Sequence, residues 1–335
     1  MSQSRRRILL AAVAASAAPL VARVSSVLAA PPGDRTIRIG KLTSGEPPRW
    51  KMINDSFRDA LRELGYVEGR NFVLVERTAR YPDPRMADYA NEMAQANFDV
   101  IVTSCMWTTE LAMKATSTIP IVIGGVHDPL GKGFVKNIAR PTGNVTGYSA
   151  NFPSIGPKML EFLVAALPEA KTIGVLANPK GPYYDDRQGE MLAAGRAMKL
   201  HVVPIDMHRL TNREVTQALF RELRLQALTF VPDDDLYFSY LDRIVPVSEE
   251  MRIPTLYPKR DFVDLGGFMS YGPDYVDIMK QTARYVDRLL NGAKPGDLPV
   301  EQPVKLEFAI NMKKVQALGY TIPRAALMRA DYLLR

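Results

Sequence analysis

Residues 39–42 read Ile-Gly-Lys-Leu and residues 173–176 read Ile-Gly-Val-Leu, each at the head of a series of strand-helix units. The likeness continues in the same order through both halves. Asp99-Val-Ile-Val-Thr-Ser104 is followed by Ile119-Pro-Ile-Val122, and Ala227-Leu-Thr-Phe-Val-Pro232 is followed by Ile253-Pro-Thr-Leu-Tyr257. Short matches repeated in one order predict a duplicated architecture of two αβ lobes, and a cleft between lobes is a common seat for a small ligand.

Working outward, Thr36–Leu42 reads as a strand, followed by a helix over Lys51–Leu64 in which Ile53, Phe57, Ala60, Leu61 and Leu64 recur at helical spacing. Gly65 follows as a stop. Strands over 71–78, 100–103, 120–123 and 145–149 alternate with helices over 85–96 and 107–115. The second half repeats this, with helices over 156–167, 186–198, 212–223 and 236–251 and strands over 172–177, 201–205, 227–231 and 255–257. The fold class expected is α/β, two doubly wound parallel-sheet lobes joined by a multi-strand hinge. Strand 267–271, helix 275–290, a turn-rich link over 292–299 and strand 305–310 form the tail. We expect lobe 1 to comprise 36–148 and 267–297, and lobe 2 to comprise 149–266 and 298–335, with three chain crossings.

The chain has 335 residues, 47% of them hydrophobic and 24% charged, which suits two cores and excludes a disordered chain. Residues 1–29 read as an export signal: Ser4-Arg-Arg-Arg-Ile-Leu-Leu10 is a basic start, and 8–22 is an apolar run broken by Pro19. The run is too short to span a bilayer, and small residues precede a cut after Ala29. The arginine pair followed by aliphatic residues resembles a twin-arginine signal, the general secretory route being the alternative. Its removal takes away Arg5, Arg6, Arg7 and Arg23 and no acid, so the formal charge falls from +7 to +3. Nucleic acid is therefore not an expected partner, since no basic run with interleaved aromatics remains. Cys105, the single cysteine, excludes an intramolecular disulfide and lies far from the cut, so no lipid or other stable membrane anchor is expected. The expected location is the periplasm.

Open parallel sheets bind ligands at the carboxyl ends of their strands. Those ends offer Thr43 and Ser44, Thr103, Ser104 and Trp107, His127 and Asp128, Asn178, Tyr183 and Tyr184, Asp233 and Asp234, Tyr257, Ser270 and Tyr271. Hydroxyls suit a ligand carboxylate, acids suit an ammonium, and rings suit an apolar body. An amino acid or similar small amphipathic molecule would use all three. Each residue also has a structural reading. Ser44 could cap the following helix, Asp128-Pro129 is a common turn pair, and 233–235 could be a solvated helix start. Tyr257 and Tyr271 could be core-edge rings, and Trp107 could be packing.

Catalytic constellations are missing. There is no Gly-x-Ser-x-Gly elbow, no Gly-x-Gly-x-x-Gly and no phosphate-binding Gly-Lys-Ser loop. His127, His201 and His208 have no histidine at metal-ligand spacing, and a lone cysteine cannot build a cysteine zinc site. No metal or cofactor is expected. A thiol site of Cys105, His127 and Asp128 is disfavoured because Cys105 follows an apolar strand, where thiols are usually buried and inert.

Longer motifs carry a family resemblance. They are Phe57-Arg-Asp-Ala-Leu-Arg-Glu-Leu-Gly-Tyr-Val-Glu-Gly-Arg-Asn71, Ser117-Thr-Ile-Pro-Ile-Val122, His127-Asp-Pro129 and Ala139-Arg-Pro-Thr-Gly-Asn-Val-Thr-Gly147. Gly266-Gly-Phe-Met-Ser-Tyr-Gly-Pro273, Asn291-Gly-Ala-Lys-Pro-Gly-Asp-Leu-Pro-Val-Glu-Gln-Pro303 and Ala317-Leu-Gly-Tyr-Thr-Ile-Pro323 complete the set. The chain resembles, over about Ile37 to Leu334, the ABC-transporter substrate-binding proteins that include tryptophan/tyrosine-type binding proteins. The resemblance implies a type I periplasmic binding fold, no catalysis, and delivery of ligand to the transmembrane subunits of an ABC permease. It maps ligand loops onto Thr43-Ser44, Thr103-Ser104, Asp128, Asn178-Pro179 and Tyr271. One departure is Ser104-Cys-Met-Trp-Thr108, where relatives tend to carry a small turn, so an aromatic amino acid does not follow automatically.

The mechanism expected is hinged capture, in which ligand bridges open lobes and shifts the population closed. A periplasmic sensor would use the same cleft, an exported enzyme would need a nucleophile or metal site, and a repressor would need a DNA-binding headpiece where the export signal stands.

Overall fold

The structure is a computed structural model and describes residues 36–44, 51–79, 81–150, 152, 155–181, 184–232, 240–302 and 306–335. The stretch expected to be an export signal, residues 1–29, lies outside the described residues. The first lobe contains β1 (Ile37–Ser44), α1 (Lys51–Glu63), β2 (Phe72–Ala79), α2 (Arg85–Gln95), β3 (Val100–Thr103), α3 (Met106–Ala115), β4 (Ile121–Val126) and β5 (Val145–Ser149). Among the described residues its sheet runs β2-β1-β3-β4-β5, every pairing parallel. All four residues of β3 are buried, as a central strand with both faces covered requires. On one face Ile37 and Ile39 meet Ile53, Phe57 and Leu61 of α1; on the other Leu42 meets Met86 and Met93 of α2.

The second lobe contains α4 (Ile155–Ala166), β6 (Thr172–Ala177), α5 (Tyr184–Ala197), β7 (His201–Asp206), α6 (Arg213–Glu222), β8 (Ala227–Phe230), α7 (Leu241–Glu250), β9 (Leu256–Tyr257) and α8 (Asp261–Asp264). Its strands run β7-β6-β8, the pattern of β2-β1-β3, so the two Ile-Gly repeats occupy equivalent central strands. A bridge between Leu228 and Thr255 carries the sheet on towards β9.

β10 (Met269–Pro273), expected to open the return to the first lobe, pairs with β9 and antiparallel with β11 (Leu306–Asn311), which pairs in turn with β12 (Tyr332–Leu334). The reason is packing: Met269 and Tyr271 point into the second core, and the Tyr271 ring lies 4.3 Å from that of Phe162 on α4. The Asp274 carboxylate accepts from the Val276 and Asp277 amides and so caps α9 (Tyr275–Leu290). Buried α9 residues Ile278, Met279 and Val286 belong to the first core. Leu298 and Val300 pack in the first lobe, the Glu301 amide donates to Gly147, and the Glu301 carbonyl accepts from Ser149. The Tyr148 hydroxyl donates to Glu301 at 2.7 Å, and that of Tyr285 donates to the Pro299 carbonyl at 2.7 Å. The short helices α10 (Met312–Ala317) and α11 (Arg324–Leu327) lie between β11 and β12.

The first lobe also buries a cation. Lys41 on β1 is 1% exposed, with Nζ 3.1 Å from Glu76 Oε1 on β2, donating to Asn54, and 5.4 Å from the centre of the Phe57 ring. Glu76 takes Arg58 on its other oxygen at 2.5 Å. Burial outweighs the neighbouring carboxylate and holds the Lys41 pKa down at about 8. The unfolded lysine, at 10.5, therefore binds more protons than the folded one above pH 8, and this group makes stability rise with pH in that interval. The gap corresponds to about 3 kcal/mol. Burial raises the pKa values of Tyr66, Tyr148 and Tyr285, so their contribution is lost as pH climbs past the unfolded tyrosine value of 10.0. Urea titrations are expected to show stability increasing between about pH 8 and 10 and then falling, with Lys41→Met abolishing the increase.

Candidate functional site

The sheet orders create a topological switch point in each lobe, between β1 and β3 and between β6 and β8, where open α/β sheets leave a ligand crevice. At the first, the Ser44 amide donates to Ser104 Oγ at 3.3 Å, joining two of the expected loops. Thr43 is 2% exposed, and its Oγ1 has no hydrogen-bond partner among the described residues. At the second, Asn178 Oδ1 accepts from the Lys180 amide at 3.0 Å and shapes the turn after β6. Tyr183 and Asp233 lie outside the described residues.

The other expected residues are held by their own lobes. Thr103 is fully buried and its hydroxyl meets that of Thr109 at 2.8 Å. Trp107 meets Tyr81 edge-on at 5.3 Å and joins the first lobe's apolar cluster, which accommodates the bulk of the 104–108 loop. Asp128 has φ 42°, and its carboxylate accepts from the Gly131 amide at 2.9 Å, closing the turn with Pro129. Tyr257 stacks on Phe262 at 4.8 Å and 6°, and Tyr271 packs in the second core, where burial raises its pKa.

What the structure does bring together is a junction across the two lobes. Tyr275, the first residue of α9, places its hydroxyl 3.5 Å from His127 Nε2 at the end of β4. Over the same ring, 4.4 Å from its centre, lies Lys259 Nζ from the segment after β9. Both residues are buried, Lys259 to 6% exposure and Tyr275 to 7%. Cys105 Sγ lies 3.5 Å from Thr108 Oγ1 at the start of α3. Sequence reasoning named His127 but missed Lys259 and Tyr275. Lys259 stands two residues beyond a strand end, a signal that counting past Tyr257 would have found. Tyr275 looks in sequence like any apolar helix position.

A cation, a phenol and an imidazole, drawn from the start of α9 and the segments after β4 and β9, can hold a polar head group, with hydrogen bonds to orient it. Among the described residues no group of three or more His, Cys, Asp or Glu is placed to hold a metal ion, and no helix is long and apolar enough to cross a membrane. Two α/β lobes built on mainly parallel sheets define the type I periplasmic binding fold.

Known proteins place the chain more closely. The family model of the ABC transporter substrate binding proteins matches residues 44–333, and the chain belongs to that family. It is similar to a tyrosine-binding protein of Clostridioides difficile (strain R20291), 28% identical over 273 residues, covering 82% of this chain and 78% of that protein. Among solved structures, a conserved domain protein of Vibrio cholerae superposes with a TM-score of 0.78 at 27% identity, covering 89% of this chain and 100% of that one. An ABC domain from Streptococcus pneumoniae in complex with L-Trp has a TM-score of 0.78 at 24% identity, with coverage of 89% and 100%, and shows the shared fold. The family is one of substrate binding, and this chain is a substrate-binding protein that captures a small molecule.

Proposed function

We propose that the chain is the periplasmic solute-binding component of an ABC importer, taking an amino acid or related aromatic or carboxylate compound and handing it to the permease. The observation that carries this reading is the junction of Lys259 with Tyr275 and His127, which joins the strand ends of the two lobes. A ligand carboxylate at that junction would meet an ammonium, and closure would be driven by contacts that only the closed form makes. A relative named for tyrosine and a fold neighbour holding L-Trp favour an aromatic amino acid within that class. In this reading the lobes exchange chain after Ser149, Pro273 and Glu301, and the protein acts by binding rather than by catalysis.

A thermal-shift screen of residues 30–335 against amino acids, aromatic acids, purines, small peptides and sugars tests the reading. A ligand at a hundred times its Kd adds about 2.7 kcal/mol. A selective shift by amino or aromatic acids is expected; a shift by sugars alone would overturn the ligand class. Thr43→Val serves as a probe of the first crevice. Removing a buried hydroxyl that lacks a protein partner is expected to leave stability within about 0.5 kcal/mol, while ligand affinity falls about fivefold, equivalent to roughly 1 kcal/mol. Calorimetry showing unchanged affinity would take Thr43 out of the site.

A further inference from the structure

Lys259, the cation of the junction, stands between two residues that are each fixed to the sheet beside it. On one side the Pro258 carbonyl lies so close to Gly272 of β10 that a Cβ on Gly272 would overlap it. On the other side Arg260 reaches the next strand, where its Nη1 donates to both carboxylate oxygens of Glu307 on β11, at 3.2 and 3.4 Å. Glu307 stands directly opposite Gly272, so both anchors fall on one rung of the sheet. The Arg260 guanidinium is gripped from two more directions. Its Cζ lies 3.9 Å from the centre of the Tyr332 ring on β12, and its Nε lies 3.5 Å from Asp264 Oδ2 on α8. Tyr332 is itself tied down, because β12 pairs with β11 at Ala309 and the Phe308 amide donates to the Asp331 carboxylate at 2.9 Å. A guanidinium shared between carboxylates and an aromatic face keeps few rotamers. Lysine carries its charge on a flexible stem, so a backbone pinned on both sides is what lets it meet a ligand without a large ordering cost.

We propose that Arg260 is a positioning residue for Lys259: held by Glu307 and Tyr332, it fixes the chain so that the Lys259 ammonium sits over Tyr275, where a ligand carboxylate would meet it. The inference rests on the solute-binding reading of that junction and deepens it, because it makes the C-terminal strand β12 part of the machinery that presents the cation.

NMR of protein carrying isotope-labelled lysine reads the placement directly, without ligand. An ammonium over a ring puts its ε-methylene in the shielding zone of that ring, and the displaced Lys259 signal is assigned by its loss in Lys259→Arg. Lys41, whose Nζ lies over the Phe57 ring at 5.4 Å, supplies a second displaced signal that reports an intact fold. Arg260→Met/Glu307→Gln removes the clamp without stranding a buried carboxylate, and Tyr332→Leu removes only the ring and keeps the ion pair. The Lys259 displacement is expected to collapse in the first variant and to shrink in the second, with the Lys41 signal unchanged in both. An unchanged Lys259 signal in both variants overturns the proposal. Loss of the Lys259 and Lys41 signals together, in Tyr332→Leu as well, also overturns it and assigns the clamp to overall stability.

Calorimetry with L-tyrosine reads the consequence for binding. Arg260→Met/Glu307→Gln is expected to weaken affinity about tenfold in the wild-type background and by less than about twofold in a Lys259→Met background, since a positioning residue acts only through the group it places. Equal losses in the two backgrounds overturn the positioning role. A wild-type protein that binds neither L-tyrosine nor L-tryptophan overturns the aromatic amino-acid reading of the cleft, and the NMR result then decides the role of Arg260 by itself.

Discussion

Gly272→Ala is expected to cost about 3 kcal/mol of stability and to misalign the lobes, the upper range for forcing extra volume into a packed site. Gly272 sits in β10 between Tyr271 and Pro273, opposite Glu307 on β11. An added Cβ would overlap the Pro258 carbonyl oxygen and come within 2.8 Å of the Pro258 carbonyl carbon. Both are backbone atoms, so no rotamer change relieves the clash and one strand must move. Either movement carries function with it. Pro258 immediately precedes Lys259, and Gly272 lies two residues before the cap of α9, so the contact of Lys259 with Tyr275 would be displaced. Denaturant titration and ligand calorimetry should therefore fall together. Gly189 in α5 provides the control, because a Cβ there meets nothing within 4 Å; Gly189→Ala is expected to be neutral or stabilising by up to about 1 kcal/mol. If Gly272→Ala keeps both stability and affinity, the β9–β10 contact does not set the lobe junction.

Glu76→Gln is expected to cost about 2 kcal/mol at pH 7, and the size follows from how Lys41 escapes. Breaking a buried ion pair typically costs about 3–5 kcal/mol because a charge is stranded. Lys41, with its pKa already at about 8, can instead shed its proton. Doing so at pH 7 costs only about 1.4 kcal/mol, and loss of the Arg58 pairing adds somewhat less than about 1 kcal/mol because both partners are partly exposed. Lys41→Met in the Glu76→Gln background should then recover at least the lost stability, since no buried amine remains. Equal stability of Glu76→Gln and wild type across pH 6–9 would show that Glu76 does not hold the Lys41 charge.

The same pair shows where sequence reading stopped. Lys41 stands in the repeat that revealed the duplication, yet nothing in Ile-Gly-Lys-Leu says that its side chain is buried. That depends on Glu76 lying on the neighbouring strand, with Asn54, Phe57 and Arg58 on the helix above. The sequence offers Thr103 and Tyr257 as ligand candidates because they end strands, and Tyr257 equally as a core-edge ring. The side-chain alternation of a strand sends Thr103 to Thr109 of α3 and Tyr257 to Phe262 beyond β9. Strand ends can be located from sequence, but the direction each side chain takes depends on which helix covers that face.

By itself the sequence determined the two αβ lobes, the equivalent places of the Ile-Gly repeats, the family, and the Thr43–Ser44 and Ser104 loops at one switch point. These are local or periodic properties, carried by apolar spacing and by motifs of contiguous residues. Only the tertiary structure decided that β10 pairs with β9 and β11, that Glu301 bonds to Gly147 and Ser149, and that Lys259 meets Tyr275. Each of these is a contact between segments distant in the chain, settled by which core best buries a strand's apolar face and by which backbones can approach where Gly272 leaves room.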